Sequence, residues 1–309
     1  MHTILGAGGP VANALTKELL TNHQNVKLAS RKPVTGFDGS VWVQTDLLDK
    51  NAVINTVKHS SVIYLTAGLK YSRKIWSAEW PLIMQNVIDA AKDSGARVIF
   101  FDNVYSYGHV EGAMKENTPY QAQSVKGKIR AEVAEHLMNE SSRGNINATI
   151  ARAADFYGSE SMNSFFDMMV FQKYAQGKKA MWIGDPSKKH SFTYVPDAAK
   201  AMYMLGQNGS SANQVWHMPT APALTGNEFI ELAAKVFGRP PKFSTINKFM
   251  MQMVGLFQPP IAESVELYYQ YEYDYIFDSS RFEQAFNFKP TPYDKGFEAF
   301  SSFLKKQNG

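Results

Sequence analysis

The sequence contains no cysteine, which excludes disulfides, thiolate zinc sites, cysteine-held iron–sulfur clusters and a cysteine nucleophile together. Charge is also scarce. Charged residues make up 19% of the 309, and 32 Lys and Arg against 28 Asp and Glu leave a formal charge of +4 with no long basic run. A nucleic-acid backbone calls for a concentrated positive stripe, so nucleic acid is not expected as a partner. No apolar stretch reaches the roughly 20 residues of a bilayer span; the oiliest, 249–257, is short and rich in Met. The opening Met1-His2-Thr3-Ile4-Leu5-Gly6 lacks the basic start and apolar centre of a secretory leader. With the missing cysteines, this suggests a cytoplasmic protein with no membrane partner. The histidines show no metal-ligand spacing, so no metal is expected.

What is present is a 44% hydrophobic, 13% aromatic composition suited to a packed fold, on a chain longer than one ordinary hydrophobic core requires. In the first half, short β-branched runs alternate with amphipathic stretches. Strands are expected at 2–5, 26–30, 41–44, 61–65, 98–102 and 147–152, with crossover helices between them, which makes a doubly wound parallel α/β sheet. Ala12, Leu15 and Leu19 recur at helical spacing. Pro81 is placed to open a helix through Val87, Ile88 and Ala91 that stops at Gly95. A further helix is expected over 127–137, with Ile129, Val133 and Leu137 on one face. After Gly158 the text turns rich in Met and Phe. The chain therefore divides into a dinucleotide-binding unit, 1–157, and a smaller α/β substrate lobe, 158–309, with 190–205 returning to the first unit.

Gly6-Ala7-Gly8-Gly9-Pro10-Val11-Ala12 stands directly after a strand and before an amphipathic helix, the context that raises a glycine motif above an ordinary glycine-rich turn. Glycines there allow a tight turn and close backbone approach, so Gly6, Gly8, Gly9, Pro10 and Val11 are candidate contacts of a pyrophosphate seated on the positive end of the helix. An NAD site usually has a carboxylate about 20 residues further on. Here no Asp or Glu occurs between Glu18 and Asp38, and the second strand runs into Ser30-Arg31-Lys32. A hydroxyl and two cations can pair with a 2′-phosphate that a carboxylate would repel. NADP is therefore expected; a solvated basic turn is the alternative.

These motifs and others resemble, in order and spacing, the extended short-chain dehydrogenase/reductases of the NAD-dependent epimerase/dehydratase group. Gly6-x-x-Gly9-x-x-Ala12 matches the glycine motif, Asp46-Leu47 the adenine-contacting pair after the third strand, and Thr66-Ala67-Gly68 the small-residue turn after the fourth. Asn86, Tyr107-Gly108, the run from Arg152 to Gly158 and the run from Tyr194 to Ala199 continue the match through most of the chain. The resemblance implies a Rossmann fold, a nicotinamide cofactor also touched by Ala154 and Phe156, a polar small-molecule substrate such as a nucleotide sugar, and a homodimer. Bland roles stay open: Asp46 could cap the next helix, Arg152 and Asp197 could form an ion pair, and Phe156 and Tyr157 could be core.

The departure falls on the catalytic positions. Where the family has Tyr-x-x-x-Lys, this chain has Lys126 and Arg130, and Asn103 stands at the position of the assisting hydroxyl. Helical spacing keeps 126 and 130 on one face, so both are candidate cofactor contacts. Lys126 could also act as an acid or base, with Arg130 and Lys128 pushing its pKa down. Arg130 cannot shuttle protons. Asn103 can hold a substrate carbonyl through its amide but cannot relay a proton. Tyr105 is the best substitute acid in the polar run from Asp102 to His109. His190 and His217 could reach substrate from later loops, and the Met and Tyr runs at 250–253 and 268–275 are expected mainly as core. The reading is an NADP-dependent oxidoreductase or epimerase/dehydratase-like enzyme using hydride transfer with a non-standard acid; the alternative is a sensor that holds NADP without turnover.

Overall fold

A computed structural model describes residues 1–158 and 166–308. Seven parallel strands form the central sheet: β1 (His2–Leu5), β2 (Val26–Ser30), β3 (Ser40–Gln44), β4 (Val62–Leu65), β5 (Arg97–Asp102), β6 (Ala148–Arg152) and β7 (Gln214–His217). Their order across the sheet is β7-β6-β5-β4-β1-β2-β3, and the strand direction reverses its winding between β1 and β4, where such sheets open a crevice. β1 and β4 are buried at every position, as strands covered on both faces must be. Helices α1 (Pro10–Thr21), α2 (Lys50–Val57), α3 (Arg73–Ser94), α4 (Val125–Ser142) and α5 (Val195–Gln207) supply the cover. Side chains of α1 and α5 share one core with Ile4, Leu28 and Ile99. Those of α2, α3 and α4 share another with Leu5, Ile63 and Phe100.

Two expectations need correction. Pro81 lies inside α3 and does not open it. The helix begins at a Ser72 cap because Trp76 and Trp80, both buried, extend its apolar face upstream of the proline. The ring removes one N–H from the ladder, and that burial offsets the loss. Gly95 does end the helix, in the left-handed conformation at φ 69° with its N–H on the Ala91 carbonyl. The return to the first unit is also longer than 190–205. Phe192–Tyr194 pairs with Asp155–Tyr157, α5 packs under the sheet, and the chain runs on to place β7 beside β6.

The rest of the lobe has its own aromatic core, in which Phe171, Trp182, Phe192, Phe229 and Phe297 meet. Over it run α6 (Gly226–Phe237), α7 (Lys248–Gly255) and α8 (Pro259–Ser264). Two glycines allow the close approaches that shape the interface with the cleft. Gly6 sits at φ +84°, and a Cβ there would come within 2.4 Å of the Ala67 backbone. Gly127, in the first turn of α4, would drive a Cβ to 2.5 Å from the Tyr105 carbonyl oxygen. Gly127→Ala must therefore push α4 off the turn that carries Tyr105, and urea unfolding is expected to show a loss of about 1–3 kcal/mol, typical of overpacking.

Candidate active site

The crevice at the carboxyl ends of β1, β2, β4 and β5 is a cleft of about 1540 Å³. One drug-sized ligand occupies roughly 300–1,000 Å³, so the cleft has room for a cofactor and a second molecule. One end is floored by the turn from Gly6 to Val11. Gly9 caps α1, Pro10 fills its first turn, and no acidic side chain stands there, leaving the positive end of a 12-residue helix facing the cleft. Gly9 has open space where a Cβ would sit. These residues fit a diphosphate.

Every residue expected to touch the cofactor lines this cleft except Lys126. Leu47 is held by the Asn86 amide, which donates to its carbonyl at 2.9 Å. Asp46 lines the wall and accepts the Leu48 N–H at 3.0 Å; the capping role belongs instead to Asp49, which accepts from Ala52. Thr66, Ala67, Gly68, Ala154 and Phe156 continue the wall. At the far rim Arg31 and Lys32 are exposed, with no acidic partner among the described residues. Ser30 is less available than its hydroxyl suggests. It donates to the Lys32 carbonyl at 2.6 Å and accepts from the Trp42 indole at 3.0 Å, so it shapes the basic turn.

Lys126 is 0% exposed and is not one of the residues that line the cleft. Its three donors are all taken: the Glu263 carbonyl, a Glu263 carboxylate oxygen and a Glu266 carboxylate oxygen, each at 2.8 Å. The charges facing the ammonium are therefore carboxylates, contrary to the expectation that Arg130 and Lys128 would dominate its surroundings. The same carboxylates reach the helix starts, Glu263 accepting from Arg73 N–H at 2.8 Å and Glu266 from Val125 N–H at 2.7 Å. Lys126 thus clamps the segment around α8 to α3 and α4. Gln258, Pro260, Ile261 and Ser264 of that segment form part of the cleft wall.

Arg130 lines the cleft, stacked 4.3 Å over Trp80 and 4.7 Å over Phe100, and grips Asp102 through Nε at 2.7 Å and through Nη2. The other oxygen of Asp102 accepts from Arg152 at 2.8 Å, so the expected Arg152–Asp197 pair does not form. Asp197 instead accepts from the backbone N–H and hydroxyl of Thr291. Burial opposes the charge of Arg152, yet the Asp102 carboxylate holds its pKa above the usual guanidinium value.

Asn103 and Tyr105 both line the cleft. The Asn103 side-chain oxygen accepts from the Tyr105 N–H at 3.0 Å, which leaves the amide N–H₂ as its functional end. Tyr71 donates to the Tyr105 hydroxyl at 3.1 Å, so the proton of Tyr105 remains available to a ligand. Burial, reinforced by the Asp155 carboxylate, pushes the Tyr105 pKa well above the ordinary phenol. Tyr105 therefore stays a neutral donor across the physiological range.

Sequence reasoning missed the group opposite. Asp155 lines the cleft and pairs with His190 Nε2 at 3.0 Å, while Tyr271 donates to the same carboxylate oxygen at 3.2 Å. The His190 ring lies nearly parallel to Tyr271, 5.2 Å away. Asp155 was visible only as one letter of a strand-end motif, and Tyr71 and Tyr271 as ordinary aromatics; nothing in the spacing joins 71, 155, 190 and 271. Met251 of the Met-rich run also lines the cleft, whereas Tyr268 and Tyr275 are buried. His217 is a core residue: it stacks 3.9 Å from Phe277, its Nδ1 donates to the Asp278 carbonyl at 2.7 Å, and its Nε2 accepts from Tyr107 at 2.8 Å.

A doubly wound sheet with a glycine turn at its crevice defines a Rossmann nucleotide-binding protein of the extended short-chain dehydrogenase/reductase type. The sequence matches the NAD dependent epimerase/dehydratase family over residues 2–217, and the chain belongs to that family. No curated protein sequence matches it. Among solved structures it is similar to UDP-glucuronic acid 4-epimerase from Bacillus cereus in complex with NAD, at TM-score 0.79 and 16% identity over 100% of this chain and 99% of that one. It is similar also to dTDP-glucose 4,6-dehydratase DesIV from Streptomyces venezuelae with NAD bound, at TM-score 0.79 and 14% identity over 100% and 98%. A third is UDP-N-acetylglucosamine 4-epimerase from Bacillus cereus, at 0.78 and 15% over 98% and 96%. No helix among the described residues is long and apolar enough to cross a membrane.

Two measurements test this geometry. Lys126→Met leaves Glu263 and Glu266 without their buried cation, and urea unfolding is expected to show a loss of about 3 kcal/mol, the cost of breaking a buried ion pair. For His217, burial lowers the pKa from 6.5 to about 3. The unfolded chain takes up a proton below pH 6.5 that the native state refuses until about pH 3. This contribution to stability is complete above that window and lost as pH falls through it, at up to about 1.4 kcal/mol per pH unit. His217→Gln should flatten the fall between those limits; an unchanged slope would show that the native imidazole is already charged.

Proposed function

We propose that the chain is an NADP-dependent oxidoreductase or epimerase/dehydratase-like enzyme acting on a small molecule with a hydroxyl or carbonyl group. The bound dinucleotide would supply hydride transfer at C4 of its nicotinamide. The Gly6 to Val11 turn would hold its diphosphate, Asp46 and Leu47 its adenine, and Arg31 and Lys32 the 2′-phosphate. Arg130 would face the nicotinamide end, Asn103 would hold the substrate oxygen through its amide, and Tyr105 would donate a proton to it. Lys126 is left the work of a clamp.

The observation that carries this reading is the pairing, in one cleft, of a helix end with no acid in its first turn and a phenol whose proton no group among the described residues accepts. Two of these neighbours, the UDP-glucuronic acid 4-epimerase and DesIV, hold NAD, whose 2′-hydroxyl a carboxylate recognises in many Rossmann folds. The basic rim at Arg31 and Lys32 supports the phosphorylated form for this chain. A holder of NADP without turnover is the second reading, favoured by the engagement of Lys126 with Glu263 and Glu266.

Calorimetry should show NADPH binding at least about tenfold tighter than NADH, as one charge-assisted contact to a phosphate is worth about 1.5–3 kcal/mol. The Arg31→Ala, Lys32→Ala double variant should erase that preference without changing NADH affinity. Equal affinity of the native protein for the two nucleotides would assign the rim to solvent and the cofactor to NAD.

A further inference from the structure

The neighbours' names suggest a nucleotide-sugar substrate, but the walls of this cleft do not suit one. Among the described residues that line it, the cations are Arg31, Lys32 and Arg130. The first two stand at the cofactor's adenosine rim on the reading above, and the third is held by Asp102. The lobe's share of the wall carries no charged side chain: Met168, Met251, Ile261 and Leu267 are apolar, and Gln258 and Gln270 are neutral. Residues 159–165, outside the described part, contain neither Lys nor Arg. A diphosphate entering here would lose its water and gain no counter-charge.

Outside the adenosine rim, and apart from Arg130 with its partner Asp102, the charged residues that line the cleft are the carboxylates Glu79 and Asp155, and Asp155 stands beside the lobe wall. Asp155 is 19% exposed in its side chain. His190 and Tyr271 both engage Oδ2, which leaves Oδ1 free among the described residues to accept a hydrogen bond. An alcohol can supply that donor; a phosphate would be repelled. The apolar character continues outward, because Phe257, 85% exposed, immediately precedes the wall residue Gln258.

We propose that the cleft takes a neutral alcohol on a broad apolar body in place of a nucleoside diphosphate, and that Asp155 accepts the hydrogen bond of its hydroxyl. The proposal rests on the cofactor reading, since it assigns Arg31 and Lys32 to NADP.

The test uses the full chain loaded with NADPH and saturation-transfer NMR with 1-phenylethanol and cyclohexanol against UDP and UDP-glucose. Saturable low-millimolar binding of an alcohol, with neither UDP compound bound at the same concentration, is expected. Asp155→Asn should weaken the alcohol about tenfold, the worth of a hydrogen bond to a charged group, and should leave both UDP compounds unbound, because the wall still offers no free cation. Binding of UDP or UDP-glucose to the native protein as tight as that of the alcohol overturns the proposal, as does binding of neither class, or an Asp155→Asn protein that binds the alcohol as the native does. The native panel decides the matter by itself if that variant fails to fold. Failure to bind NADPH in the loading step is a separate result: it removes the cofactor reading and the proposal with it, whereas NADPH binding followed by UDP-glucose binding removes the proposal alone.

Discussion

The carboxylate of Asp102, buried between the guanidinium groups of Arg130 and Arg152, is the constraint on which the site depends. It stands at the last residue of β5, Arg152 at the last residue of β6, and Arg130 on α4. One anion therefore fixes two strand ends and a helix at the crevice. Two cations against one anion would be a costly interior. The excess is spread over aromatic faces: Trp80 and Phe100 lie under Arg130, and Tyr107 and Tyr120 under Arg152. The cluster also explains why arginine can stand at position 130. Its planar fork holds Asp102 through two nitrogens while one face stays on the cleft, which the point charge of a lysine could not do.

This arrangement changes what the neighbouring turn of α4 can do. Once Asp102 holds Arg130, no cation is left free to lower the pKa of a proton donor four residues earlier, and the chain has no phenol there. Position 126 is occupied by an amine committed to Glu263 and Glu266, and on the proposed reading the donor is Tyr105, on the turn after β5. Gly127 makes the two compatible, since only a residue without a Cβ lets α4 close on the Tyr105 carbonyl. The departures at 126 and 130, with Gly127 between them, thus form one packing solution in place of two separate losses.

The parallel strands of the first half and the glycine turn were legible in the sequence because local patterns determine them: buried strands read as β-branched runs, and the turn needs glycine wherever φ is positive or backbones meet. The start of α3 was not legible, since proline weighs heavily in local reading while Trp76 and Trp80 act through tertiary burial. That the residues from the glycine turn to Phe156 would meet in one cleft was readable because they follow strand ends in order. The opposite wall was not readable. Tyr71, Asp155, His190 and Tyr271 come from four separated segments, and only the return of the chain through Phe192–Tyr194, beside Asp155–Tyr157, brings His190 to Asp155. Lys126 shows the limit of motif alignment: the position was found, but its partners lie about 140 residues away in a segment with no matching motif.

The cleft is electrostatically divided, and the division follows from how its two walls are built. The cofactor wall consists of strand ends and a helix start, where unpaired N–H groups supply positive potential without any side chain. The lobe wall is assembled from side chains of α7, α8 and the segment before Tyr271, and these contribute bulk and no charge. The charges that segment does carry, Glu263 and Glu266, face the back of the wall and are neutralised there by Lys126. A clamp built from the residue at the expected catalytic position therefore also keeps the lobe's acidic groups out of the cleft. Outside the adenosine rim the cleft is lined by the carboxylates of Glu79 and Asp155, besides Asp102 in its pairing with Arg130, and Asp155 is held in place beside the lobe wall by an imidazole and a phenol.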